Sequence, residues 1–223
     1  MVVELGTAPP ERVGGKAAGL ARLVALGLPV PPALVLPPGE ELGDPEDVTR
    51  LLGEPLAVRS SAAGEDAAGR SAAGQYETVL NVRAVGLADA VEQVRRGSDR
   101  ARAYGASGEI AVILQRQVPA TRAGVAFSRD PVDGRDEVLV ECALGGGDRV
   151  VSGLVTPDRY WISDGLIRAR AAGLVRTLRD DELRDLVTVV RRAENGFGRP
   201  VDVEFCYDRR TVWFVQCRPI TTL

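Results

Sequence analysis

The closing stretch of the sequence alternates in type. Val201, Val203 and Phe205 are apolar, Asp202 and Glu204 are acidic, and after a short turn at Asp208-Arg209-Arg210 the run from Val212 to Cys217 returns. Successive side chains of a strand point to opposite faces, so this pattern predicts an antiparallel hairpin with one buried face. It puts Asp202 and Glu204 on one face of the first strand, and Gln216 and Arg218 on one face of its partner. Two acids beside an amide and a cation suit a magnesium-bound nucleotide. Carboxylates hold a hard cation that keeps some of its waters, and arginine neutralises phosphate oxygens. A solvated outer face of a hairpin would carry the same pattern.

The rest of the chain mixes helical and extended patterns. Leu20, Leu23 and Val24 recur at helical spacing within 16–26, and Gly27 supplies a C-cap. Residues 30–36 read as extended, 46–53 as a short helix, 56–59 as a brief strand, 78–82 as a strand and 86–104 as a helix. Ile110 to Leu114 reads as a buried strand. Gly124–Ser128 and Glu137–Glu141 read as strands around the turn at 133–136, and 180–195 as an amphipathic helix with Leu183, Leu186, Val187 and Val190 on one stripe. From Ser60 to Gln75 the chain is almost all Ser, Ala, Gly, Asp and Glu, without a large apolar anchor, which reads as a loop. The expectation is an α+β chain of two lobes, 1–110 and 111–223.

Composition narrows the chemistry. The 223 residues carry a net charge of -3, and this slight acidity argues against nucleic acid, whose phosphates select a basic footprint. Histidine is absent, which removes imidazole bases, Ser-His and Cys-His nucleophile pairs, and a phosphohistidine carried by this sequence. The three cysteines, Cys142, Cys206 and Cys217, are isolated and odd in number, which reads as small buried residues in a reducing compartment. The start, Met1-Val2-Val3-Glu4-Leu5-Gly6, lacks the basic segment and apolar core of a signal peptide. The most apolar stretch, Leu20 to Leu36, is broken by Pro29, Pro31 and Pro32. A cytoplasmic protein without membrane spans is expected.

Lys16 is the sole lysine, against 27 arginines. A compact, flexible ammonium suits a phosphate, so its retention points to chemistry, although a chance surface lysine is the plain alternative. Ala17 stands where a P-loop needs Ser or Thr, so Gly14-Gly15-Lys16 is not a Walker A loop. Arg59-Ser60-Ser61 with the small-residue loop that follows is a second phosphate candidate. Exposed amides, hydroxyls and the glycines Gly64, Gly69 and Gly74 can wrap a phosphate chain closely, or serve as a linker. Glu141 and Asp148 flank Gly145-Gly146-Gly147, where they either add an acid to a metal site or cap a turn.

Taken together, Gly14 to Leu20, Val30-Pro31-Pro32, Val58 to Asp66 and Ala73 to Thr78 resemble the nucleotide-binding domain of the phosphoenolpyruvate synthase, pyruvate phosphate dikinase and rifampin phosphotransferase family. The resemblance continues in order through Gln115-Arg116-Gln117-Val118, Gly124 to Pro131, Val151-Ser152-Gly153, Pro157-Asp158, Asp202 to Phe205 and Gln216 to Pro219. It implies an ATP-grasp fold, in which two lobes clamp ATP with magnesium. By resemblance Lys16 and Arg59 match phosphate-contacting cations, Gly74 and Thr78 lie on a covering loop, and Gln115, Gln117 and Val118 line the adenine pocket. Glu204 matches the metal-binding acid, with Gln216 beside it on the metal and Arg218 at the γ-phosphate end. The resemblance casts Lys16, Arg59 and Arg218 as the catalytic cations.

Three stretches are short for this family: Pro32 to Leu56, the helix at 86–104, and Trp161 to Arg199. The family's Gly-Leu-Gly-Glu is Gly145-Gly146-Gly147-Asp148 here. Relatives carry a separate swivelling domain whose histidine takes phosphate from ATP as ATP becomes AMP, and neither is present in this sequence. Since it begins at Met1 and ends just past the last matching block, one complete domain is expected. The reading that follows is a Mg-ATP-binding phosphotransfer domain acting on a histidine of a separate protein or domain. The alternatives are direct ATP-dependent phosphorylation or ligation of a small molecule, and a non-catalytic nucleotide-binding module.

Overall fold

The structure is a computed structural model that describes residues 1–62, 78–103, 110–146, 155–209 and 211–221. Contacts divide the chain into two units, residues 1–21 with 31–117, and residues 22–30 with 118–223.

The first unit is an antiparallel sheet of five strands in the order β1 (Val3–Glu4), β2 (Ala33–Leu36), β5 (Ile110–Arg116), β3 (Leu56–Ala62) and β4 (Thr78–Val82). Leu34, Leu36, Leu56, Val58, Ala62, Val112 and Leu114 form its core with Val48 and Leu52 of α2 (Pro45–Leu52) and Leu87, Val91 and Val94 of α3 (Ala84–Ala103). Helix α2 is bounded by local chemistry. The Asp44 carboxylate accepts the Glu46 N–H at 2.9 Å, Pro45 fits the first turn, and Gly53 (φ 82°) donates its N–H to the Thr49 carbonyl. Because alternate strand residues are buried against these helices, Ala57, Arg59, Ser61, Ile113 and Gln115 take the opposite face.

The second unit is an antiparallel sheet in the order β11 (Val212–Pro219), β10 (Val201–Tyr207), β6 (Arg122–Phe127), β7 (Val138–Leu144), β8 (Asp158–Ser163) and β9 (Leu166–Arg170). Helix α4 (Asp180–Phe197) buries Leu183, Leu186, Val190 and Ala193. Arg122 fixes the face that α4 covers. It shares a register position with Tyr207, and its guanidinium grips both Glu182 oxygens at 2.8 and 2.9 Å while lying 4.5 Å from the Tyr207 ring centre. Val201, Val203, Phe205 and Tyr207 therefore face α4, and Asp202 and Glu204 face away from it.

The α+β expectation holds, and the helices at 16–26, 46–53, 86–104 and 180–195 and the closing hairpin appear within a few residues of their expected bounds, α1 (Pro10–Ala25) starting six residues early. Three strands, β1, β8 and β9, had no counterpart in the sequence reading. The expected boundary between 110 and 111 falls at the first residues of β5, whereas the contact division falls after Gln117. The reason is pairing: β5 lies between β2 and β3, so all of its ladder belongs to the first unit. Residues 22–30, conversely, join the second unit. The guanidinium of Arg22 lies 5.0 Å from the Phe197 ring centre, and the Phe214 N–H donates to the Pro29 carbonyl at 2.8 Å. Gly27 (φ 69°) closes α1 as expected, with N–H bonds from Gly27 to Val24 and from Leu28 to Leu23. All three cysteines are free and buried. Among the described residues no helix is long and apolar enough to cross a membrane.

Two features of the second unit are closely constrained. A Cβ on Gly124 would lie 2.0 Å from the Glu141 carbonyl oxygen, so β6 and β7 approach only where a side chain is missing. Asp158, 3% exposed, accepts hydrogen bonds from the Ala172 and Thr177 N–H groups and the Thr177 and Tyr160 hydroxyls at 2.6–2.9 Å. Burial by itself raises the Asp158 pKa, but these donors outweigh it and hold the carboxyl below its ordinary value.

Gly124→Ala is expected to cost about 3 kcal/mol or more in urea unfolding. Gly86→Ala, in α3 with nothing within 4 Å of the added carbon, is expected to change stability by under about 1 kcal/mol. A folded pKa lowered below the unfolded one stabilises above the unfolded value and is lost as pH falls through the folded value. Acid titration of the melting temperature is therefore expected to show a limb below about pH 4 that Asp158→Asn, itself less stable, reduces.

Candidate functional site

In the first unit, one sheet face gathers most of the candidate residues. Thr78 of β4 pairs in register with Arg59 of β3, which pairs with Ile113 of β5. Gln115 pairs with Ala57, one position along the same face. Facing partners in an antiparallel ladder share a face, so Thr78, Arg59 and Gln115 line one patch. Ser61, two residues beyond Arg59, accepts the Ala17 N–H at 3.0 Å and so brings the start of the helical segment carrying Lys16 onto this face. Gln115 is 1% exposed, and its Nε2 is buried without a hydrogen-bond partner among the described residues. Leaving a buried amide donor unsatisfied is costly, so this group is suited to an acceptor brought by a ligand.

Several neighbours have other duties. The Gln117 side chain exchanges two hydrogen bonds with Asn81, accepting the Asn81 N–H at 2.6 Å and donating to Asn81 Oδ1 at 3.1 Å, and the Gln117 N–H donates to the Pro55 carbonyl. Its side-chain amide and N–H are thus engaged in the fold. Val118 follows as the first residue of the second unit, and its carbonyl accepts the Ala120 N–H. Ser60 and Ser61, read from the sequence as the beginning of an exposed loop, are buried in β3; Ser60 turns toward the core face and Ser61 toward α1. Gly64, Gly69, Gly74, Gly147, Asp148 and the run Val151-Ser152-Gly153 lie outside the described residues.

In the second unit, β10 and β11 pair Glu204 with Gln216 and Asp202 with Arg218. The four residues expected on one face are therefore direct cross-strand partners. Asp202 and Gln216 are each only 6% exposed, so this is not a solvated outer face. The Arg218 Nε donates to both Asp202 oxygens, at 3.1 and 2.8 Å. Asp202 thus orients the guanidinium, and Glu204 lies across from Gln216 one pair farther along the same face. The sequence had given Asp202 no such duty, although its spacing of sixteen from Arg218 across a short turn was the available signal. Farther along the same row, Val125 separates Glu204 from Glu141, and Glu141 pairs with Arg159 at 2.7 Å. Glu141 is therefore held by an arginine, two strands from Glu204.

A family model described as the pyruvate phosphate dikinase AMP/ATP-binding domain matches residues 40–171 and 166–223. The chain belongs to this family. It is 32% identical to the prodigiosin synthesizing transferase PigC of Serratia marcescens, over all of this chain and 33% of that protein. It is 29% identical to a probable phosphoenolpyruvate synthase of Methanothermobacter thermautotrophicus (99% of this chain, 45% of that protein) and 31% identical to the rifampicin phosphotransferase of Bacillus subtilis (82% and 26%). The chain thus spans between about a quarter and under half of these relatives' length. The fold resembles that of PH1788 from Pyrococcus horikoshii, with a TM-score of 0.60 at 15% identity over 94% of this chain and 93% of that one. It also resembles the N5-carboxyaminoimidazole synthetase of Staphylococcus aureus solved with ADP, with a TM-score of 0.54 at 12% identity over 93% and 44%. The pyruvate phosphate dikinase AMP/ATP-binding domain in this chain therefore has the α+β ATP-grasp fold. The two matched stretches meet at β9. The alignment to PigC runs over 297 positions against the 223 residues here, so that relative carries sequence this chain lacks.

Asp202→Asn removes one charge from the pair that orients Arg218. It is expected to weaken Mg-ATP binding roughly tenfold in isothermal titration, as loss of a charge-assisted bond does. An unchanged affinity with a lowered melting temperature would assign the pair to the fold alone.

Proposed function

We propose that this chain binds Mg-ATP and transfers a phosphoryl group to a histidine carried by a separate protein or domain. Each unit supports the reading by itself: the first carries Arg59, Thr78 and Gln115, whose Nε2 is buried without a partner among the described residues, with Lys16 brought up by Ser61, and the second carries Glu204, Gln216 and Arg218. A nucleotide asks for such a set, namely a donor for a base and cations for phosphates. The sequence itself holds no histidine, so the accepting imidazole comes from outside these 223 residues.

The donor set also suits magnesium. Magnesium takes one or two protein carboxylates and fills its shell with water and phosphate oxygens, and Glu204 with the Gln216 amide across from it offers such oxygens. Glu204 and the Gln216 carbonyl would hold it, and when bound it neutralises phosphate charge. The protein's own contribution is positioning and charge. Lys16 and Arg59 hold phosphate oxygens, Arg218, fixed by Asp202, meets the charge that grows as the phosphoryl group departs, and Thr78 sits beside Arg59 to orient the chain of phosphates. Gln115 holds the base. No general base is needed here, because the acceptor brings its own nucleophilic nitrogen. If both outer phosphates leave, ATP becomes AMP.

A second reading keeps the nucleotide site and changes the acceptor to a small molecule taken directly. The sequence present in PigC and missing here favours it, since the lost segments alter the surface an acceptor would meet.

Nucleotide analysis after incubation with Mg-ATP, alone and with a histidine-domain protein, separates the two. The first reading expects AMP or ADP to appear only with the histidine domain, and at least a hundredfold less with Glu204→Ala. Turnover by the chain alone with a small acceptor would replace it with the second. ATP at a hundred times its dissociation constant is expected to add about 2.7 kcal/mol of stability, and no thermal shift would remove both.

A further inference from the structure

Helix α1 is broken at Gly14, whose φ of 77° and ψ of 172° are not helical, so the segment that carries Lys16 begins afresh at Gly15. A new helix start leaves its first amide N–H groups without intrahelical acceptors. One of them is satisfied from far along the chain, since Ala17 N–H donates at 3.0 Å to the Ser61 hydroxyl, 44 residues away and buried. The approach is close as well as bonded. A Cβ on Gly14 would lie 2.5 Å from both the carbonyl carbon and the carbonyl oxygen of Ser61, and 2.7 Å from its Oγ. Only glycine allows the helix start to sit this near β3, and only glycine takes this φ without strain.

Ser61 and Arg59 lie two residues apart on one face of β3, about 7 Å along the strand. Lys16 is bonded directly to Ala17. The contact therefore sets two cations from distant parts of the sequence against a common strand. Two like charges repel, and neither the helix nor the strand by itself fixes their separation.

We propose that Ser61 is a positioning residue for phosphate binding: by capping the helix start at Ala17 against Gly14, it sets where the Lys16 ammonium stands relative to Arg59. The proposal rests on the nucleotide-site reading given above and adds to it a residue that itself meets no ligand atom. A serine that merely stabilised the fold would affect the melting temperature and leave the contribution of Lys16 to affinity unchanged.

The test is a double-mutant cycle on the intact chain, with Mg-ATP as the probe, reading dissociation constants by isothermal titration and folding by melting temperature. The variants are Ser61→Ala, Lys16→Met and the two combined. Ser61→Cys, which keeps the volume but offers a poor acceptor, takes the place of Ser61→Ala should that variant not fold. Ser61→Ala is expected to weaken Mg-ATP roughly tenfold in the Lys16 background and by less than twofold once Lys16 is already Met, because the cation it positions is then gone. Equal losses in both backgrounds, or no loss with a lowered melting temperature, would overturn the proposal while leaving the nucleotide site standing. Wild type that does not bind Mg-ATP, or Lys16→Met that binds it as tightly as wild type, would remove the site reading and the proposal with it.

Discussion

Burial on one side of β10 decides what its other side offers. Val201, Val203, Phe205 and Tyr207 are held toward α4, and the Arg122 clamp on Glu182 keeps that helix in place over them. With a period of two, no freedom remains for Asp202 and Glu204, since a slip of one residue would carry every apolar side chain out of the core. β11 must then pair in a register that keeps Phe214 and Cys217 buried, and this places Gln216 across from Glu204 and Arg218 across from Asp202. The polar set is a by-product of core packing, and packing holds it to a tolerance that flexible surface residues would not reach.

The first unit solves the matching problem by other means. Its sheet gives Arg59, Thr78 and Gln115 a common face in the same way, through a core shared with α2 and α3. Lys16, though, is on a helix, and no strand register governs it. A glycine with positive φ and a serine acceptor replace the ladder there. The two devices differ in kind. The ladder is redundant, with many hydrogen bonds fixing one register, whereas the helix start depends on one close approach and one side-chain bond.

Legibility from sequence follows the same division. The β10–β11 hairpin and α4 were readable because their periodicity is local and strong. The shared face of Arg59 and Thr78 was not, because β3 and β4 pair with a register shift between Leu56 and Val58 that no local pattern announces. Ser61 looked like a loop hydroxyl, since its partner lies 44 residues away and serine has no strand signature of its own. The edge strand β9 escaped notice because Leu166 and Arg168 are exposed and leave no buried period to read. Residue chemistry alone suggested a phosphate for Lys16 and a metal-bound nucleotide for the face of Asp202 and Glu204, whereas the expectation of an adenine pocket at Gln115 came only from resemblance to the family. That resemblance also offered Gln117 as a pocket residue, and only the structure reveals that Asn81 and Pro55 occupy its donors.

Solved ATP-grasp structures share this architecture at 12 to 15% identity, so the sheets and their faces outlast almost all of the sequence. Relatives that are 29 to 32% identical to this chain over the aligned stretches differ in what their names say they act on. The physical reason is that a nucleotide imposes the same demands wherever it binds, namely a donor for the base, cations for the phosphates and an acid for the metal. An acceptor imposes none of these. The alignment to PigC, at 297 positions against 223 residues, shows that relatives also differ by whole segments. A change confined to connecting segments leaves both strand registers as they are, so the demands of a nucleotide and those of an acceptor can vary separately.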